Sequence, residues 1–199
     1  MREIFTPRLR MVPVREKNAQ TLWLVLQQPD LRDFQDLPDL NAQEFRRSIA
    51  ARPAELAPGA IGRFEWLLFW SAQNDGSETL EALGWVSLRV AQRSPESAEI
   101  GYSVVREARG RGVATEAVAG LVSEAFERAR LRNVRAFCVP ENGPSRTVLL
   151  RNGFHDEGVA RHGATVQGHA VDVVAYCLSR SDWKAQRRAF TLNPSTTRS

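Results

Sequence analysis

Between Arg109 and Ala117 the chain reads RGRGVATEA: two glycines and two arginines directly ahead of a run of good helix formers. A turn that opens a helix exposes several backbone N–H groups beside the positive end of the helix dipole, and that combination favours anions, phosphates above all. Gly110 and Gly112 let the chain curl without a Cβ in the way, Arg109 and Arg111 can add charge-assisted bonds, and Thr115 offers a hydroxyl in the first turn. Two familiar phosphate loops are excluded by spacing. The third glycine of G-x-G-x-x-G is replaced by Thr115, and no Lys-Ser or Lys-Thr pair follows the turn. On this fragment alone a plainer alternative stands beside the phosphate cradle: a tight turn whose arginines are simply solvated.

Other residue types that could do chemistry are less suggestive. His155, His162 and His169 recur every seven residues without clustered carboxylates, so no metal site is expected. Cys138 and Cys177 lie in apolar strand patterns and read as small core residues; neither has a neighbouring base that would make it a nucleophile. Trp23, Trp66, Trp70 and Trp85 read as core, with some left to wall an acceptor pocket.

The elements that must hold the turn in place follow from periodicity. Leu9 to Val14 reads as a first strand, and residues 15–28 place Leu22, Val25 and Leu26 at helical spacing before Pro29. Residues 29–38 read as loop, and a second helix runs from an Asn41 cap towards Pro53. Two aromatic and β-branched runs, RFEWLLFW and LEALGWVSLRV, flank an Asn74-Asp75-Gly76 turn, and SAEIGYSVV (97–105) makes the next strand. Gly101 in that strand marks a bulge or a close backbone approach. The helix after the turn carries Ala117, Val118, Leu121, Val122, Ala125 and Phe126 on one side. A compact strand at 134–139, a short helix from Pro144 to Gly153, and two strands joined near 163–168 complete the order β-α-α-β-β-β-α-β-α-β-β.

Composition narrows the classes. At 199 residues, 43% hydrophobic and 25% charged, the chain suits one globular α/β domain, and no apolar run reaches the length needed to span a bilayer. The first residues lack the apolar stretch of a secretory signal, which places the protein in the cytoplasm, where two cysteines are not expected to pair. The formal charge of +4 invites a nucleic-acid reading. However, the basic residues either interleave with acids or fall in the last residues, and no basic strand carries stacking aromatics. Neither specific nucleic-acid binding nor a membrane partner is expected.

These surroundings resemble the GNAT superfamily of acetyl-coenzyme-A-dependent N-acetyltransferases. Arg109, Gly112 and Ala114 match its signature of Gln or Arg, two residues, Gly, one residue, then Gly or Ala, at the strand-to-helix junction where the family carries it. The segment VPENGPSRTVLLRNGF matches a second element, with Asn142 and Ser145 leading into a helix that ends in Gly-Phe. TPRLRMVPV and DVVAYCLSRSDW are similar to the ends of the ribosomal-protein N-terminal (alanine/serine) acetyltransferase branch.

The resemblance implies a single GNAT-type domain over residues 6–183, followed by a flexible basic tail, 184–199. Its fold would be a mixed, mostly antiparallel sheet of about seven strands with about four helices, and with strands splayed at the cofactor cleft. It implies that the turn from Gly110 through Arg111, Gly112, Val113 and Ala114 to Thr115 binds the coenzyme A pyrophosphate. Tyr102, Ser103 and Val104 on the splayed strand would pair with the pantetheine arm, and Asn142 would bind that arm from the far side. A Val104 N–H would face the developing oxyanion. Glu99 stands near the position of the family's water-relaying glutamate, or is an ordinary charge on a solvent face. Ser145 stands where this branch holds a serine beside the thiolate, or is only a helix-capping hydroxyl. The glutamate and tyrosine of some relatives are replaced here by Phe137 and Leu149.

The expected activity is direct acetyl transfer from acetyl-CoA to a primary amine, either a protein N-terminus or a small molecule. The alternative is a non-catalytic acetyl-CoA-binding or partner-docking module. No metal is expected, and a homodimer stays open.

Overall fold

The computed structural model describes residues 1–28, 40–71, 81–166 and 168–192. One eight-stranded sheet organises them: β1 (Ile4–Phe5), β2 (Leu9–Pro13), β3 (Gly62–Trp70), β4 (Gly84–Val90), β5 (Ser97–Val104), β6 (Asn133–Cys138), β7 (His155–Val166) and β8 (His169–Ser179). The order across the sheet is β1-β2-β3-β4-β5-β6-β8-β7. Every neighbouring pair is antiparallel except β5 and β6, which run parallel.

Among the described residues five α-helices accompany the sheet: α1 (Ala19–Leu26), α2 (Ala42–Ala50), α3 (Val113–Ser123), α4 (Gly143–Arg151) and α5 (Arg180–Leu192). The start of α2 is fixed locally. Asn41 Oδ1 accepts from the N–H groups of Gln43 and Glu44, while the Glu44 carboxylate accepts from the Asn41 N–H. This reciprocal cap satisfies donors that a helix start would otherwise leave open.

The aromatic run of β3 is buried on both faces because helices cover both. On one side Met11 approaches Gly120 of α3, and Leu68 and Trp66 share that face through the β2–β3 register. On the other side Arg63 and Glu65 face α2, where Arg52 pairs with Glu65. The predicted stripe of α3 is all buried, and its last two members, Ala125 and Phe126, lie in a π-helical turn (Glu124–Arg128) that continues the helix. Burying each of its Val, Leu and Phe side chains contributes about 1.5–3 kcal/mol.

Several expectations are corrected. The sheet has eight strands rather than about seven, because Ile4–Phe5 pairs back onto β2 through a turn closed by Thr6 N–H to Leu9 O, 3.0 Å. The fifth helix, absent from the expected four, takes residues 180–192, so residues 184–192 of the expected tail are helical. Ser179 Oγ accepts from the Asp182 N–H at its start, the Trp183 ring packs on Phe126 at 5.3 Å, and Arg187 pairs with Glu127. Residues 193–199 lie outside the described residues, as do the expected loop at 29–38 and the Asn74-Asp75-Gly76 turn. β7 continues to Val166, beyond the expected end near Gly163, and two register shifts absorb the extra residues. At Gly101 the β4–β5 register is unbroken, so no bulge exists there. A Cβ at that position would lie 3.0 Å from Ser87 Oγ and 3.5 Å from the Trp85 ring, which makes it a close approach.

Candidate active site

β5 and β6 pair only from Ser97 opposite Asn133 to Glu99 opposite Arg135. Beyond that point the strands part, and five residues of β5, Ile100 to Val104, have no partner on the β6 side. The N–H of Val105 is bonded to Leu83 O across β4. Main-chain groups alternate along a strand, so the polar groups of Ser103 also turn to β4, while those of Tyr102 and Val104 turn to the open edge. Of the three residues expected on this edge, Tyr102 therefore turns a backbone donor and acceptor to the gap, Val104 turns its N–H there while its carbonyl takes a bond from Arg109, and Ser103 offers none.

The parted strand leads through a short 3₁₀ turn (Arg106–Ala108) into the glycine turn. Gly110 has φ +72° and Gly112 φ +77°, left-handed conformations that residues with a Cβ adopt at a cost. Gly112 caps α3, and the first intrahelical bond is Glu116 N–H to Gly112 O, 3.0 Å. The N–H groups of Val113, Ala114 and Thr115 thus belong to the first turn, where helix geometry supplies no acceptor. A Cβ on Gly110 would meet nothing within 4 Å. The cradle accordingly has backbone donors, a helix dipole and open space, and it fits a pyrophosphate.

The two arginines take up different positions. Arg109 Nε donates to Val104 O at 2.9 Å, tying the turn to the end of β5. Arg111 lies over the Trp70 ring, 4.6 Å from its centroid, and its carbonyl accepts from Arg8 Nη1. The anchor of the turn is a residue that sequence reasoning passed over. Glu116 accepts from Thr6 Oγ1 at 2.6 Å, from the Arg8 N–H at 2.7 Å and from Arg8 Nε at 2.7 Å. Burial acts to raise its pKa, but these three donors outweigh it and hold the carboxyl below the ordinary value. The available signal was the polar TPR segment at 6–8, which has no reason of its own to sit beside α3.

Across the gap, α4 brings up its N-terminus. Asn142 Oδ1 caps it by accepting from the Ser145 N–H at 3.0 Å, and Pro144 occupies the first turn as expected. The Tyr102 hydroxyl reaches over from β5 to Ser145 Oγ at 2.9 Å and Ser145 O at 3.1 Å. Burial pushes the Tyr102 phenol well above its usual range, so it stays protonated at neutral pH. Cys138 lies in the same corner, and burial raises its thiol against the opposing pull of Arg146 and a Ser145 hydrogen bond. Phe137 is exposed and Leu149 fully buried, so neither position supplies a titrating group.

Glu99 stands at the last paired position before the strands part. Three residues separate it from Tyr102, so the two side chains point to opposite faces of the sheet. Tyr102 faces α3 and α4, whereas Glu99 faces the α2 side and is ion-paired with Arg89, its register partner on β4. The register also sets His155 directly opposite Cys177, an adjacency not expected from the sequence. Among the described residues no three His, Cys, Asp or Glu side chains converge on one point.

Comparisons with known proteins agree with this geometry. Residues 8–155 match the model of the acetyltransferase (GNAT) domain. The relative named "Putative ribosomal N-acetyltransferase YdaF", from Bacillus subtilis, is 36% identical over 104 residues, which are 52% of this chain and 57% of that one. A solved structure described as a probable acetyltransferase superposes with a TM-score of 0.71 at 28% identity, covering 92% of this chain and 99% of the other. A RimL ribosomal L7/L12 alpha-N-protein acetyltransferase in complex with coenzyme A shares the fold, with a TM-score of 0.74 at 23% identity over 89% of this chain and 98% of that one. No helix among the described residues is long and apolar enough to cross a membrane.

Proposed function

The chain belongs to the acetyltransferase (GNAT) domain family, and from that premise we propose that it moves the acetyl group of acetyl-coenzyme A to the α-amine of a protein N-terminus. The observation that carries this reading is the parting of β5 from β6 beside a helix start whose first N–H groups are free of intrahelical partners. Acetyl-CoA, the co-substrate, supplies a thioester as acetyl donor. The turn from Gly110 to Thr115, with Arg109 and Arg111 beside it, would hold its phosphates. The open edge at Tyr102 and Val104, with Asn142 opposite, would hold its amide-bearing arm as a pseudo-strand.

The two faces of the sheet divide the remaining work. On one face Ser145, in contact with the protonated Tyr102 hydroxyl, is the donor beside the leaving sulfur. The Val104 N–H, turned to the gap, is the backbone donor for a carbonyl oxygen that gains charge. On the other face Glu99 is the carboxylate nearest the point where the strands part, and it would orient the incoming amine or a water that takes its proton. Arg89 already pairs with the Glu99 carboxylate, so this oxygen pair is shared between a cation and whatever enters the gap. An α-amine with pKa about 7.7–8.0 costs only about 1 kcal/mol to neutralise at pH 7, against about 4–5 kcal/mol for a lysine. A site whose carboxylate is already ion-paired therefore favours an α-amine.

Relatives named for ribosomal proteins support a protein acceptor: one from Escherichia coli is a ribosomal protein uS5 alanine N-acetyltransferase. The test combines calorimetric titration of acetyl-CoA with a thiol-release assay over N-terminal peptides, lysine side-chain analogues and polyamines. Micromolar binding and release confined to free N-termini are expected. Binding without release on any amine would favour a docking or sensing module instead, and no binding at high micromolar concentration would end the enzyme reading.

A further inference from the structure

A second feature of the face that carries Glu99 has no part in holding the donor. Four charged residues occupy one cross-strand row: Arg63 opposite Arg89, Arg89 opposite Glu99, and Glu99 opposite Arg135. Directly opposed residues share a face, and all four side chains are reachable from solvent, with 44%, 57%, 38% and 52% of their surface exposed. Arg89 is the single exposed residue of β4, so the row forms a shelf that opens to solvent across an otherwise buried strand. Along it Arg89 pairs with Glu99, while Arg63 and Arg135 reach carboxylates beside the row, Glu65 and Glu157.

The shelf ends in a cavity of about 480 Å³ between α2 and the start of β3. Five basic side chains line it, Arg15, Lys17, Arg46, Arg52 and Arg63, against two carboxylates. Glu16 is engaged by Arg46. Glu65, which is 3% exposed, is shared by Arg52 and Arg63. Two cations on one buried carboxylate leave an excess of positive charge that solvent screens only in part. Burial, reinforced by Arg63, lowers the Arg52 guanidinium to about 10. Beneath Arg63 the Trp85 ring lies 5.6 Å away, and its buried Nε1–H has no acceptor among the described residues.

We propose that the shelf and the basic cavity form a specificity subsite for an acidic segment of the acceptor peptide. This rests on the reading that the acceptor is a protein N-terminus whose amine lies near Glu99. Arg63 stands two strand spacings from Glu99, about 10 Å, and an extended peptide covers that distance in about three residues. The acidic side chain that the cavity takes therefore sits about three residues in from the acetylated amine.

The test uses the full chain and matched eight-residue peptides that differ only at positions three to five, carrying Asp/Glu, Asn/Gln or Lys. The acidic peptide is expected to show about tenfold higher kcat/KM than the neutral one, with the basic peptide lowest. Arg63→Gln should erase the preference through a rise in KM for the acidic peptide, and 0.5 M salt should shrink it. Because Arg63 also contacts Glu65, the rim variant Lys17→Glu is the control for folding, and it should reduce the preference two- to threefold. Equal kcat/KM for acidic and neutral peptides, or a preference that survives both substitutions, would overturn the subsite while leaving the acetyltransferase reading intact. A second readout stands apart from turnover: titration of an N-terminally blocked acidic peptide, followed by tryptophan fluorescence. Saturable binding lost in both variants supports the subsite even if no peptide is acetylated, and no binding to the unmodified protein refutes it.

Discussion

The two sides of the parted strands are built from different materials. The donor side is made of main chain: positive-φ glycines, first-turn N–H groups of α3 and the unpaired edge of β5. The side proposed for the acceptor is made of side chains brought into one row by register, Arg63, Arg89 and Glu99 above all, with a basic cavity at its end. Main-chain donors serve any ligand with the same phosphates and amides, whereas a row of side chains can be altered residue by residue without disturbing the ladder beneath it. The contrast lets one scaffold keep its donor while its acceptor changes.

That contrast can be broken from the donor side. Gly112→Glu forces a Cβ into a left-handed conformation, 3.2 Å from Arg8 Nη2, and brings a carboxylate to the phosphate cradle. Acetyl-CoA affinity should fall at least about 100-fold, roughly 2.7 kcal/mol, while calorimetry with the acidic peptide stays unchanged. Normal coenzyme affinity in this variant would move the donor site elsewhere.

Glu116→Gln acts one step behind the cradle, by removing the anion that Thr6 and Arg8 hold. Its side chain is only 15% exposed, and losing the charge should destabilise the fold by about 1.5–3 kcal/mol in denaturant titration. The sign with pH follows from the lowered pKa. The unfolded chain binds a proton at Glu116 before the folded one does, so the contribution is complete above about pH 4.3 and is lost as pH falls through the folded value. The difference between the two proteins should therefore close in acid; a gap independent of pH would mean that packing, not charge, anchors the turn.

The smallest effects belong to the hydroxyl pair between the two sides. Ser145→Ala should lower kcat about tenfold, the worth of one hydrogen bond of roughly 1.4 kcal/mol in the transition state, and Tyr102→Phe about threefold. Both should leave KM for acetyl-CoA near its original value in steady-state thiol release. A large KM change with constant kcat would make the pair a binding contact and not a proton donor.

The order of strands and helices was largely legible because it follows from short-range patterns. The aromatic and β-branched runs of β3 and β4, the apolar stripe of α3, the Asn41 cap and the Pro144–Gly153 bounds of α4 all use residues within a turn or two of each other. The misses share the opposite property. Ile4–Phe5 is too short to show a pattern and becomes a strand only because β2 is there to pair with it. Residues 184–192 read as tail because the surfaces that order α5, Phe126 and Glu127, lie about sixty positions away. The Glu116 clamp spans 108 residues for the same reason.

What the sequence determined by itself is the glycine turn that opens α3. Glycine spacing, a helix start and two flanking arginines are local facts, and φ is a property of the residue that carries it. Tertiary structure decided what lies across the gap and on which face: that Tyr102 meets Ser145, that Glu99 is held by Arg89, and that Arg63, Arg89 and Arg135 share a row. Each depends on strand register, which sets side chains beside one another only after the whole sheet has paired, and a slip of one residue would turn every one of them to the other face.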